Sequence, residues 1–365
     1  MNIYVFKVEG IAPKECIGVI DSYKSFNFTK SFQDCGKWTL KGNFTPEARN
    51  LLQVGNLIYI NPRVSGIIET IDISTDEKGA TYVASGKELK GILDYRIVWD
   101  TFAQQNGIYE MARDIVLNNN KGNRKLFEVD TSKHIDSPSQ SKQISYVSLL
   151  KAVSEIVKMG KSNAGSLIGF DVVCESGKPF TFKLIEGADY TANSPHPYIL
   201  SRDFDNVSSL GYAESSKSKA NIVKVGGEGE GSERKFATAG NDSLSGLQRR
   251  EIFKDARNTQ SKFTDANGEQ QTLTPEQYQA LLQDEANSLL KEEIEISVDA
   301  ESIVTSEQAL DLLGSKVSLI DRAFGVRTDD YISEVNIIDE ADGTLTTITV
   351  GKGLAAQKLT LPQEV

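Results

Sequence analysis

The stretch A-S-G-K-E-L-K-G-I-L-D-Y-R-I-V-W-D-T-F, Ala84 to Phe102, decides how the chain is organised. A strand-like run ends at Gly86 and passes directly into a Leu/Ile/Val-rich segment that holds a lone arginine, Arg96, between tyrosine and isoleucine. Two readings are open at this point: a catalytic arginine, or a packing junction between two domains.

Upstream of that stretch the pattern is β. Short apolar runs such as C-I-G-V-I (Cys16 to Ile20), F-N-F (Phe26 to Phe28) and L-I-Y-I (Leu57 to Ile60) are separated by glycine, Asn-Pro and Asp-Glu-Lys-Gly turns. Gly66 to Ile73 reads as one strand that turns at Asp76 to Gly79 and resumes at Ala80 to Ala84, a hairpin in an antiparallel sheet or barrel.

Downstream the period changes. Ile108, Met111, Ala112, Ile115 and Val116 predict a helix from about Thr101 to Asn118 with one apolar face. Leu149, Leu150, Val153, Ile156 and Val157 predict a second, stopped at Gly160. Gly169 to Ile185 reads as a hairpin turning at Glu175 to Lys178. From Asn206 to Val225 polar and small residues dominate, Ser215 to Ser218 being least patterned, and strand structure resumes at A-N-I-V-K-V. Thr274-Pro275-Glu276-Gln277 is a helix start, with a threonine cap, a proline in the first turn and a glutamine three residues on. Tyr331 to Ile338, a turn at Asp339 to Gly343 and a strand from Leu345 close the pattern.

The 365 residues suit two or three compact units. With 39% hydrophobic and 25% charged residues the chain can bury real cores. No apolar run approaches the ~18 residues that span a bilayer. The strand-like N-terminus lacks a signal peptide's apolar centre, so synthesis in the cytoplasm without general export is expected. The net charge of -11 argues against a nucleic-acid reader, whose affinity comes mainly from neutralising phosphates.

Motifs for chemistry are sparse. Three cysteines (Cys16, Cys35, Cys174) and two histidines (His134, His196) are too scattered for a metal cage. V-G-G-E-G-E-G-S-E-R, Val225 to Arg234, has the glycines of a phosphate loop, but Glu228, Glu230 and Glu233 repel phosphate and no helix pattern follows. It reads as a flexible strand connection, with Gly226, Gly227, Gly229 and Gly231 as a mobile loop. Phe263 to Glu269 fails as a calcium loop because phenylalanine takes the first ligand position, and reads as a hairpin turn at Asp-Ala-Asn-Gly. The pairs Asp329/Asp330 and Glu292/Glu293 read as solvated surface. No nucleophile elbow is present, and no catalytic residue, cofactor or metal is expected.

Taken together, these segments resemble the baseplate or tail-tip hub proteins of phage tails, the group that includes the N-terminal hub of tail-associated lysins in Gram-positive siphophages and related hubs of contractile tails. Ser25 to Leu40 resembles that family's aromatic strand pair, and Val54 to Ile71 its following barrel strands. Gly86, Leu89, Leu93 and Arg96 match its glycine, leucine, leucine, arginine signature at the exit from the first domain. Gly246 to Arg257 is similar to an arginine- and acid-rich family segment. At Leu312 to Asp321, Ser315 and Lys316 stand where an aspartate often follows Leu-Gly.

The resemblance implies an α+β, multidomain hub. Residues 1-98 are expected to form a first β-barrel-like domain, 99-196 an α+β insert of two helices and a hairpin, and 197-365 a second β-barrel-like domain with a helical insertion and a C-terminal hairpin. It further implies a non-enzymatic homotrimer at the virion's tail tip that adapts sixfold to threefold symmetry and gates the DNA channel. Expected partners are the distal tail protein or baseplate ring, the tape-measure protein, and receptor-binding or fibre proteins, with no specific nucleic-acid binding and no membrane insertion. The chain ends soon after the last hairpin, an expectation against wall hydrolysis by this chain. The competing reading is a carbohydrate-binding tail-tip adhesin, which clustered exposed aromatics would favour. Gly86, Leu89, Leu93 and Arg96 read first as a structural junction, with an interface arginine and then a catalytic one as the alternatives for Arg96: Leu89, Ile92, Leu93 and Ile97 pack one domain on the next, and Arg96 bonds carbonyls or a carboxylate there.

Overall fold

The computed structural model describes residues 1–77, 79–175, 177–264, 269–291, 295–302, 305–322 and 325–351. Strands dominate a mixed α+β architecture. Its centre is an antiparallel path of eight strands, four from the first quarter of the chain and four from its second half. Thr70–Asp76, Gly79–Lys87, Lys37–Asn43 and Ser25–Ser31 follow one another across the sheet, and Ser25–Ser31 then pairs with Val326–Glu340 in register Glu334 to Ser31 through Glu340 to Ser25. The path continues through Gly343–Gly351 and Glu295–Ser302 to Val207–Ser215.

Alternation explains the burial. Phe26 and Phe28 on one strand and Trp38 and Leu40 on the next point inward and are at most 1% exposed. They share one core with Val298, Val335 and Ile348 from the far end of the chain. A second four-stranded sheet, Ala12–Ile20, Ile3–Glu9, Leu57–Asn61 and Val64–Ile67, closes over that core.

Between the two halves, helices Ile108–Asn119 and Leu149–Val157 pack with the antiparallel hairpin Ile168–Val173/Thr181–Glu186 around a second core. A third, smaller core lies where helix Pro275–Ser288 covers the sheet Phe236–Gly240, Ile222–Gly226, Glu251–Asp255. That helix starts with the expected capping box, the Thr274 hydroxyl accepting from the Gln277 N–H. Alanines supply much of this lobe's core, so helix and sheet lie close. It docks on the inserted unit by polar contacts: the Lys142 ammonium is 2.7 Å from Glu285, the Ser141 N–H donates to Asp284, and Gln143 exchanges two hydrogen bonds with the Gln260 backbone.

Several sequence expectations are corrected. The helix expected from Thr101 begins at Ile108, and Phe102–Asn106 is a strand paired with Gln140–Ile144. The apolar 3.6-residue period begins only at Ile108, and Gly107 is the boundary. The single run Gly66 to Ile73 is two strands in different sheets, Val64–Ile67 and Thr70–Asp76. The polar segment after Asn206 contains a nine-residue strand, Val207–Ser215, because pairing with Glu295–Ser302 supplies what its weak pattern does not. Strands Lys262–Thr264 and Gln270–Thr272 pair as a hairpin; its expected turn at Asp265 to Gly268, the Glu292/Glu293 pair and the terminal L-T-L-P-Q-E-V lie outside the described residues.

Candidate functional site

The segment Lys30 to Phe32 is where the parts of the molecule meet. It leaves the strand Ser25–Ser31, and each residue reaches a different element. The Lys30 ammonium is 2.6 Å from Asp171 on the inserted hairpin and 3.0 Å from Glu88 at the end of strand Gly79–Lys87. The Ser31 N–H donates to Glu88. The Phe32 N–H donates to the Ser333 carbonyl on the C-terminal side, and its own carbonyl accepts from the Phe170 N–H. The Phe32 ring occupies space that side chains at Gly169 and Gly314 would fill.

Lys90 completes the cluster. Its ammonium lies 3.4 Å from Glu88, bonds the carbonyls of Ser31 and Phe170, and sits 4.7 Å above the Phe170 ring. Lys30, Glu88, Lys90 and Asp171 are all at most 4% exposed. Two ammonium and two carboxylate groups cancel, and the remaining hydrogen-bonding capacity is met largely by backbone: Glu88 also accepts from the Gly36 N–H at 2.7 Å. Burial alone would raise the Glu88 carboxyl, but Lys90, Lys30 and the Gly36 N–H outweigh it and hold it below the ordinary carboxylate value. Burial would lower Lys30, but Asp171 and Glu88 hold it above its ordinary value.

Chemically the cluster is a latch. Each charge is engaged, and the Cys35 thiol nearby is pushed far above its ordinary value by burial and by Glu88, so it is no thiolate nucleophile. Among the described residues, no group of three or more histidine, cysteine or acidic side chains is placed to hold a metal ion.

The residues singled out from sequence flank this latch. Gly86 lies in strand Gly79–Lys87, where an added Cβ would stand 2.1 Å from the Ile67 carbonyl oxygen and 3.0 Å from Trp38 Nε1. Leu89 and Leu93 lie on the 3-10 turn Leu89–Tyr95 and enter the core of the inserted unit. Ile97, expected beside them, stays 40% exposed. Arg96 is half-buried; its Nε donates to the Arg124 carbonyl at 2.7 Å and its Nη1 to the Tyr95 carbonyl, and among the described residues no carboxylate pairs with it. Burial and then the neighbouring Arg124 lower its affinity for the proton.

The glycine loop divides in two. Gly226 and Gly227 are buried, the Gly227 N–H donates to Lys235, and Arg234 donates to both their carbonyls. Gly229 and Gly231 have φ of 93° and 53°, backbone that glycine adopts freely, and both are exposed. At Leu312 to Asp321 the turn residue Gly314 has φ of 83°, and the Ser315 hydroxyl accepts from the Ala188 N–H.

Sequence reading singled out Arg96 and missed Lys30, Glu88, Lys90 and Asp171. The signal was available in part: Lys30 follows two inward phenylalanines, and Glu88 and Lys90 bracket the leucine that enters the core. What no local pattern carries is the pairing of Lys30 with Asp171, 141 residues apart.

Comparison with known proteins agrees with this architecture. The crystal structure of a tail protein from Neisseria meningitidis MC58 superposes with a TM-score of 0.58 at 13% identity, covering 96% of each chain. The 43 kDa tail protein of prophage MuSo2 from Shewanella oneidensis gives 0.56 at 13% identity, again over 96% of each. Prophage tail protein gp18 from Listeria monocytogenes EGD-e gives 0.54 at 11% identity, over 98% of this chain and 96% of that one. At these identities the likeness is one of fold. No curated protein matches the chain. The family model described as Siphovirus ReqiPepy6 Gp37-like protein matches residues 14–352, nearly the whole sequence, and the chain belongs to that family.

Proposed function

We propose that this protein is a structural, non-enzymatic component of a phage tail that assembles as a homotrimeric hub at the distal end of the tail tube. The observation that carries the reading is the composition of the central sheet: four strands from the first quarter of the chain and four from its second half meet at the pairing of Ser25–Ser31 with Val326–Glu340. On this reading each half, backed by its neighbouring strands, would serve as one barrel-like unit, with 1–98 as the first, 197–365 as the second and 99–196 inserted between. Two such units per chain make six in a trimer, which is how a threefold ring would continue a sixfold tube. The outer strands Thr70–Asp76 and Val207–Ser215 end the path, each paired on one side among the described residues, so their outer edges are available to neighbouring subunits.

The ring would seat on a distal tail protein or baseplate ring, meet the tape-measure protein, carry receptor-binding or fibre proteins, and gate the DNA channel. The acidic excess suits a lumen that nucleic acid passes without sticking. The test is the mass of the purified chain in solution combined with electron-microscopy class averages, alone and with its distal tail protein. A trimeric ring with an axial channel is expected. A monomer under both conditions overturns the reading.

A further inference from the structure

A cavity of about 520 Å³ opens between the inserted unit and the small alanine-cored lobe. Its apolar lining includes Phe102 and Leu281, each 7% exposed, and Phe263, half-buried. Its walls are uncharged and polar: Gln104, Asn118, Gln271 and Thr272 all line it. Among the described lining residues the only charged groups are Asp100 and Lys142, and Lys142 is held by Glu285 at 2.7 Å. Gln104 uses its amide N–H on Asp114, while its Oε1 is buried and accepts no hydrogen bond among the described residues. Beside Asp100 stands Trp99, 60% exposed, with the Arg124 guanidinium 5.2 Å from its ring centroid. The Tyr146 N–H bonds the Val98 carbonyl, which brings the backbone of Tyr146, 72% exposed, beside that of Trp99.

From this chemistry we infer that the cleft binds a neutral oligosaccharide. A phosphate or nucleotide needs cations that the walls lack, and a metal ion needs more than one carboxylate. A wholly apolar ligand would leave the buried Gln104 Oε1 without a donor. A sugar meets each requirement: a hydroxyl donates to Gln104 Oε1, others bond the neighbouring amides, its C–H faces pack on Phe102 and Phe263, and a unit projecting past Asp100 comes next to Trp99. The cleft's size lies within the usual range of small-molecule sites. The inference goes beyond the hub reading and stands or falls independently of the chain's oligomeric state.

Only two tryptophans are present, Trp38 at 1% exposure and Trp99, so acrylamide quenching of fluorescence reports mainly on Trp99. Maltotriose, cellotriose and chitotriose, titrated at millimolar concentration into the full chain, are the probes, read by calorimetry and by quenching. Saturable binding of at least one, with protection of Trp99, is expected. Thr272→Trp, at an exposed strand end, fills the mouth and should weaken binding by about tenfold or more with an unchanged melting temperature, as should Asn118→Ala. No saturable binding by any of the three overturns the proposal. So does affinity unchanged in Thr272→Trp, which puts the sugar elsewhere, or tighter binding of tetraglutamine than of any sugar, which gives the cleft to a protein segment.

Discussion

Lys30 and Asp171 stand 141 residues apart in sequence and 2.6 Å apart in space, both at most 4% exposed. That contact joins the central sheet to the inserted unit, and Glu88 and Lys90 balance it. Bringing four charges out of water is costly, and a buried pair adds little over a well-packed apolar one. What it supplies is geometry, because a shift between the two units would strand an ion in a medium that cannot solvate it.

Removing one member should therefore cost far more than the net worth of the pair. Lys30→Met is expected to destabilise the chain by about 3–5 kcal/mol, because it leaves Asp171 buried without its closest cation. Urea unfolding followed by circular dichroism measures this, and a loss below about 1 kcal/mol would show that the latch is solvated in solution.

The same cluster sets a pH dependence with a definite sign. Glu88 is held below its ordinary value of 4.5, so its contribution is fully present above that pH and is lost as pH falls through the lowered folded-state value. Lys30 is held above its ordinary 10.5, so its contribution is present below that pH and is lost as pH rises through the raised value. Stability measured across pH should fall at the acid end, and Glu88→Gln should lower the plateau and flatten that limb. An acid limb of equal steepness in the variant would assign it to other carboxylates.

Arg96 should matter less than the latch. It is half-buried and bonds two backbone carbonyls, so Arg96→Ala is expected to cost about 1–2 kcal/mol, the range for hydrogen bonds from a charged donor reduced by partial exposure. A thermal melt that falls as far as that of Lys30→Met would make Arg96 the principal tie instead.

The contrast between Arg96 and Lys30 shows what local sequence carries. Periodicity located the helix around Met111 and Ile115, the Thr274 cap and the hairpin after Ile168, since each is encoded within a few residues. It failed at Phe102–Asn106 and Val207–Ser215, whose strands exist through partners distant in sequence. The site was half legible for the same reason. Leu89 and Leu93 announce burial by their type, whereas a lysine on a strand reads as solvated surface until its carboxylate partner is known.

Gly86 tests the close packing beside the latch. A methyl group there would press on the Ile67 carbonyl and on Trp38, whose indole N–H donates to the Lys87 carbonyl. Gly86→Ala should cost about 1–3 kcal/mol or more and shift the emission of buried Trp38 to the red. Native stability and unshifted emission would mean that the two sheets can part without penalty.

Mobility in the glycine loop should stop at a definite residue. Gly226 ends a central strand, its carbonyl accepts from Ala256, and the Glu228 N–H donates to the Tyr278 hydroxyl, so opening there breaks several buried bonds at once. Gly229 and Gly231 carry positive φ on the exposed side of the turn, with far less to break. Hydrogen exchange on the free chain is therefore expected to be fast at Gly229 to Gly231 and slow at Gly227 and Glu228. Repeating it on assembled tails separates a surface turn from a contact: protection of Gly229 to Gly231 would put the turn at an interface or gate, and unchanged fast exchange would leave it facing solvent. Fast exchange at Gly227 in the free chain would contradict the anchoring, since the turn could then loosen only together with the strand that carries it.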